Sequence, residues 1–187
     1  SIADSGAIIS LLENADLSSF IHESGHLFLE IQADLASRIQ ANIDAGDIVT
    51  DGERQIVADM GKLTDWFGAQ DHARAMKDIE ANVDAAIAQA KKSAEKAAQT
   101  GDAKDAAQAA KDKAQADRML AALNWLNSKG REGYLAEASR NWFAEVPTEH
   151  RTILATPYHE IFARGWERYA FEGQSPNLEL QSIFQRF

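Results

Sequence analysis

From Ser18 onward, Phe20, Leu27, Phe28, Ile31, Leu35 and Ile39 recur at the spacing of a helix with one apolar face. The pattern predicts a first long helix running to about Gln40, with Asp16 or Ser18 as its N-cap. Gly46 marks Asn42 to Val49 as a loop. Thr50 or Asp51 then caps a second helix, with Ile56, Met60, Leu63 and Trp66 on its apolar face and Gly68 at its end. Ahead of all this, Ala7 to Leu12 is an apolar run too short for its period to decide between a strand and a turn of helix. A minor β element near the N-terminus is one of those two readings.

The pattern changes at Asp71. As far as Ser128 the chain is Ala, Lys, Gln, Asp and Glu with few large apolar residues, a mixture that favours helix and leaves little to bury. Thr100-Gly101-Asp102 interrupts the stretch, which predicts two antiparallel helices, Asp71 to Gln99 and Asp102 to Asn127, packed through alanine. Such an arm would be about 40 Å long. The alternative is a disordered linker, against which the long uninterrupted helix propensity argues. A further helix is expected from Arg131 to about Glu145, anchored by Tyr134, Leu135, Trp142 and Phe143. Pro147 and Pro157 bracket a connection, Tyr158 to Phe171 is strongly patterned as a helix, and Gly173 to Pro176 stops it ahead of a final helix from Leu178 to Phe187. The expected fold class is mainly α, with residues 1–70 and 129–187 forming one discontinuous domain and 71–128 inserted as a helical hairpin.

Composition narrows the chemistry. Among 187 residues, 29 acidic against 19 basic side chains give a net charge of -10, which disfavours nucleic acid and anionic membranes as partners. Without cysteine there are no disulfides, thiolate nucleophiles or Cys-based zinc sites, so any metal must use His and carboxylate. No apolar run approaches the roughly 20 residues that span a bilayer, and Ser1-Ile2-Ala3-Asp4 has neither a Met nor a signal-peptide pattern. The chain reads as part of a larger polypeptide.

One constellation carries chemistry. His22-Glu23-Ser24-Gly25-His26 is an H-E-x-x-H motif, and on a helix positions four apart share a face, so both imidazoles can reach one metal ion. Glu23 points to the neighbouring edge, where it can deprotonate a water and act as general base. The plain alternative is a surface helix with two exposed histidines. Against it, Phe20, Ile21, Leu27, Phe28 and Leu29 surround the motif, and Leu29 continues the stripe of His22 and His26, as a helix buried on both sides with an internal cleft would require. A catalytic site takes a third protein ligand. The best carboxylates lie in the helix after Pro157, where Glu160, Ala163, Arg164 and Glu167 share a stripe, and small Ala163 and Gly165 allow two backbones to approach. Glu160 would face the metal, with Glu167 accepting an imidazole N–H; alternatively Glu160 and Arg164 are a surface ion pair. Tyr158, His159 and Tyr169 are equal candidates for a donor to a developing oxyanion.

The stretches Phe20 to Glu30, His159 to Tyr169 and Glu172 to Pro176 resemble the zincin-like metallopeptidase domains found in large polyvalent proteins of phages and mobile elements. In zincins with a glutamate third ligand, that ligand opens a Glu-x-Phe-Ala pattern, which Glu160-Ile161-Phe162-Ala163 matches. The resemblance implies a zincin-like helical domain that holds Zn²⁺ through His22, His26 and Glu160, with Glu167 the reserve ligand. It also implies peptide or protein substrates and a cytoplasmic setting, in a bacterial host or associated with phage. The separation of His26 from Glu160 is longer than in such domains, and the hairpin accounts for it. The rival expectation is a binding or scaffold module that keeps the fold without turnover.

Overall fold

The computed structural model describes residues 17–186, so the run from Ala7 to Leu12, where a β element was expected, lies outside the described residues. Seven helices and no strands make up the described residues: α1 Leu17–Asp44, α2 Asp51–Gly68, α3 His72–Thr100, α4 Ala103–Ser128, α5 Glu132–Arg140, α6 Thr148–Glu172 and α7 Leu178–Phe184. None is long and apolar enough to cross a membrane.

Local chemistry sets most of the boundaries. Ahead of α2, Thr50 and Glu53 cap reciprocally: the Glu53 amide donates to Thr50 Oγ1 at 3.2 Å and the Thr50 amide to Glu53 Oε2 at 2.7 Å. Asp71 accepts from the Arg74 amide, Asp102 from Lys104 and Asn177 from Leu180, which starts α3, α4 and α7. Between α3 and α4, Gly101 takes φ +64° and its amide closes on the Ala97 carbonyl, a left-handed stop that suits a residue without Cβ.

Two expected boundaries are corrected. The helix expected to reach Glu145 ends at Arg140, because Trp142 and Phe143 adopt φ of 49° and 58°. That backbone costs roughly 1–2 kcal/mol per residue, and it is held because Phe143 is fully buried and Trp142 stacks on Phe67 at 5.0 Å. The stretch from Pro147 to Pro157, expected as a connection, belongs to α6. Pro147 accepts from the His150 and Arg151 amides and opens the helix, which continues through Pro157. A proline inside a helix costs about 3 kcal/mol, outweighed by burial of Leu154, Ala155, Tyr158, Phe162 and Ala163 along the same helix.

The chain divides into two compact units, Ser1–Asp65 with His159–Phe187, and Trp66–Tyr158. The first is built from α1, most of α2, the second part of α6, and α7. Its core contains Leu29, Ala36, Ile39, Met60, Leu63, Phe162, Leu180, Ile183 and Phe184. Phe184 sits 5.4 to 5.8 Å from the rings of Phe162, Trp166 and Tyr169, so α7 braces α6 with one side chain. Arg186 pairs with the buried Asp59 of α2 at 2.5 Å, and Gln32 of α1 donates to the Ile56 carbonyl at 2.9 Å.

The second unit holds the expected Ala-rich hairpin and more, since the end of α2, α5 and the start of α6 join it. Midway along the hairpin, Asp112 accepts from Ser93 and Gln89 of α3 and from Gln108 on its own helix, a polar pin between the two helices. Phe67, Phe143 and His72 pack edge to face or tilted around the Tyr158 ring.

Candidate metal centre

The site begins with a missing side chain. A Cβ built on Gly25 would lie 2.9 Å from Ala163 Cα and 3.1 Å from Trp166 Cδ1, so α1 and α6 approach at the one motif position that can lack a side chain. Trp166 Nε1 donates to Ser24 Oγ at 3.0 Å, and its ring meets Phe28 edge on at 5.2 Å. The motif helix is thus locked on both sides of Gly25. The inward face of α1 is Gly25, Leu29, Gln32, Ala36 and Ile39. Phe20, Leu27, Ile31 and Leu35, expected on the core side, are exposed instead. Glycine takes the inner face at the point where α1 and α6 come closest.

This packing brings together the three residues expected as ligands. His22 Nε2 and His26 Nε2 are 3.2 Å apart; Glu160 Oε2 is 3.5 Å from the first and Glu160 Oε1 3.6 Å from the second. Zinc–ligand bonds of about 2.0–2.1 Å in a tetrahedron give ligand atoms separated by about 3.3 Å. The observed triangle has that size, and among the described residues it is the one group of three so disposed to hold a metal ion.

Tautomers sharpen the point. Glu167 Oε2 lies 3.4 Å from His22 Nδ1, on the far side of the ring from His26. A carboxylate can only accept, so Nδ1 carries the hydrogen and His22 Nε2 presents its lone pair to the triangle. Burial holds the His26 imidazole below its ordinary pKa, against the pull of the Glu160 carboxylate. Two imidazole nitrogens and a carboxylate are donor types that a divalent ion such as zinc takes. The donor set therefore fits a divalent metal that accepts nitrogen and oxygen.

Glu23 lies exposed beside the triangle, where its charge is felt at His26. Arg164 Nη2 stands 3.7 Å from Glu160 Oε2, so the ion pair weighed as an alternative exists alongside the triangle rather than in place of it. The structure separates the two carboxylates that the sequence left in competition: Glu160 faces the Nε2 edges and Glu167 the Nδ1 edge of His22.

Of the three oxyanion candidates, Tyr158 is fully buried in the second unit. Its hydroxyl donates to His72 Nδ1 at 2.7 Å, and burial pushes its phenol above the ordinary range. Tyr169 packs against Trp166 and Phe184. His159 is the one beside the triangle, its ring 5.9 Å from that of His26 and its Nε2 3.0 Å from Glu30 Oε1. That bond to His159 holds the Glu30 carboxyl below its usual pKa. Sequence reasoning missed Glu30, and it offered Asp16 or Ser18 as the N-cap, of which Asp16 lies outside the described residues. Ser18 instead lies inside α1, and its hydroxyl donates to Glu167 Oε1. A serine one turn before the first motif histidine was the available signal.

Comparison with protein families, curated proteins and solved structures finds no match to this chain.

Proposed function

We propose that this chain is a zinc-dependent hydrolase, a metallopeptidase in which His22, His26 and Glu160 hold the metal and Glu23 is the general base. The observation that carries the reading is the triangle of His22 Nε2, His26 Nε2 and the Glu160 carboxylate, with sides of 3.2 to 3.6 Å. Zinc bound there would act as a Lewis acid toward a peptide carbonyl and make water easier to deprotonate.

The chain's own groups do the rest. Glu23, one residue from the first ligand and open to solvent, takes a proton from the attacking water as its oxygen bonds to the peptide carbon. It then gives that proton to the amine nitrogen as the C–N bond breaks, so a new carboxylate and an amine leave with water consumed. Glu167 holds the His22 ring in the tautomer that ligation needs. Peptide as the bond cleaved comes from the resemblance of the motif stretches to zincin-like domains.

The test pairs metal content with activity. The wild-type chain should carry one zinc by elemental analysis and cleave a denatured protein in a chelator-sensitive way. Glu23→Gln should keep the zinc and lose cleavage by at least about a hundredfold; His22→Ala should lose both. Equal cleavage by wild type and Glu23→Gln defeats the catalytic assignment, and a zinc-loaded wild type that cleaves nothing reduces the chain to a metal-holding binding module.

A further inference from the structure

Two hydrogen bonds behind the triangle form a line that the proposed reaction does not use. Ser18 Oγ donates to Glu167 Oε1, and Glu167 Oε2 faces His22 Nδ1 at 3.4 Å. Ser18 and His22 sit on the same face of α1, one turn apart, while Glu167 reaches across from α6. The carboxylate has two oxygens and each has a separate task. One is anchored by a hydroxyl of the helix that bears the ligand, and the other is thereby left for the ligand's ring.

We infer that Ser18 is a positioning residue for the metal, acting through Glu167 to fix the orientation and tautomer of His22. The inference rests on the metal reading above. Without Ser18, Glu167 can rotate about its own χ3, and its Oε2 no longer has a fixed direction toward Nδ1. His22 then divides between its two tautomers. In the one that carries hydrogen on Nε2, the ring points an N–H where a lone pair is needed. The groups around the line are only part exposed, with 22% of the His22 side chain and 27% of Glu167 open to solvent, so water replaces the lost bond poorly. Ser18 touches neither metal nor substrate, and it acts by limiting what Glu167 and His22 can do.

A merely structural role is the competing explanation, in which Ser18 only pins the start of α1 to α6. The two differ in what they move. Outer partners of metal-bound histidines change metal affinity by about 10- to 100-fold when removed. A structural pin would change metal-free stability and leave affinity in proportion to the folded fraction.

The experiment titrates Zn²⁺ against a chromophoric chelator with wild type, Ser18→Ala, Ser18→Thr and Glu167→Ala. Long-range ¹H–¹⁵N spectra of the metal-free proteins report the His22 tautomer, and thermal melts without metal run alongside. The expected result is affinity lowered about tenfold or more by Glu167→Ala and several-fold by Ser18→Ala. Ser18→Thr, which keeps the hydroxyl, should restore it. The Nδ1–H tautomer of His22 should dominate in wild type and be diluted in Ser18→Ala, with little change in the metal-free melting temperature. Zinc affinity and tautomer unchanged in Ser18→Ala overturn the inference while the metal centre stands; so does a loss of affinity that follows the fall in melting temperature or that Ser18→Thr does not rescue. A wild-type chain that binds no zinc overturns both.

Discussion

Gly25 shows how one residue sets the site. Replacing it with alanine gains up to about 1 kcal/mol of helix propensity, but the added methyl would sit 2.9 Å from the Ala163 backbone, where overpacking costs about 1–3 kcal/mol. The backbone cannot give as a flexible side chain would, so Gly25→Ala is expected to destabilise the chain by about 1 kcal/mol in urea unfolding. It should also weaken zinc binding, because α6 must step back and take Glu160 with it. At this scale the sequence was informative wherever the rule is local. The His22 and His26 pairing follows from four-residue spacing alone, and Glu23 follows with it. Glu160 and Glu167 were both visible as candidates, but which ring edge each one meets depends on how α6 is rotated, and rotation is decided by Gly25, Trp166 and Phe184 together. The bonds from Ser18 and Glu30 depend on that same rotation, which is why neither was foreseen.

Among the elements, α1 is the least like its pattern. Of the recurring apolar positions read as its core side, Phe20, Leu27, Ile31 and Leu35 are exposed and Ile39 is buried, while the face through Gly25, Leu29 and Ala36 packs inward. Leu29→Ala is therefore expected to cost about 2–5 kcal/mol, and Leu27→Ser or Ile31→Ser within about 0.5 kcal/mol, since Leu29 is 0% exposed against 54% and 46% for the other two. Denaturant midpoints of the three variants check the ranking. The hairpin of α3 and α4 was legible almost to the residue, since Asp71, Gly101 and Asp102 are local signals that need no tertiary partner.

The hairpin's stability should depend on acid. Lys96 and Thr100 hold the Asp105 carboxyl below its ordinary pKa, and Ser93, Gln89 and Gln108 do the same for Asp112. Both groups are lower in the folded chain than in the unfolded one. Their contribution is present above the unfolded value of about 3.9 and is lost as pH falls through the lower folded values. Protection against amide exchange in α3 and α4, corrected for the intrinsic rate, should fall below about pH 4 more than in an Asp112→Ala variant, which lacks part of the contribution at every pH. At the turn between them, Gly101→Ala meets no neighbour and should lose about 1 kcal/mol through backbone strain alone.

At the scale of the whole chain, a zinc ion that binds only the folded state adds RT ln(1 + [Zn]/Kd), about 2.7 kcal/mol at a free concentration 100 times Kd. The melting temperature should therefore rise with added zinc and return with chelator, and the rise should vanish in His26→Ala. The all-helical character of the described residues was legible from periodicity; that the end of α2, α5 and the start of α6 join the hairpin in one unit was not. The path of α6 through Pro157 was not, because a proline stop is a local rule and the burial that overrides it along Leu154, Tyr158 and Phe162 is not local.

The line from His22 to Glu167 joins positions 145 residues apart. Ribosomes add about 5–20 residues each second, so the two histidines emerge some 7–30 s before the carboxylates that complete their surroundings. During that interval α1 offers two imidazole nitrogens without Glu160, one donor short of the triangle. On the proposed metal reading, loading would follow synthesis, and a nascent chain stalled in the hairpin would hold no zinc.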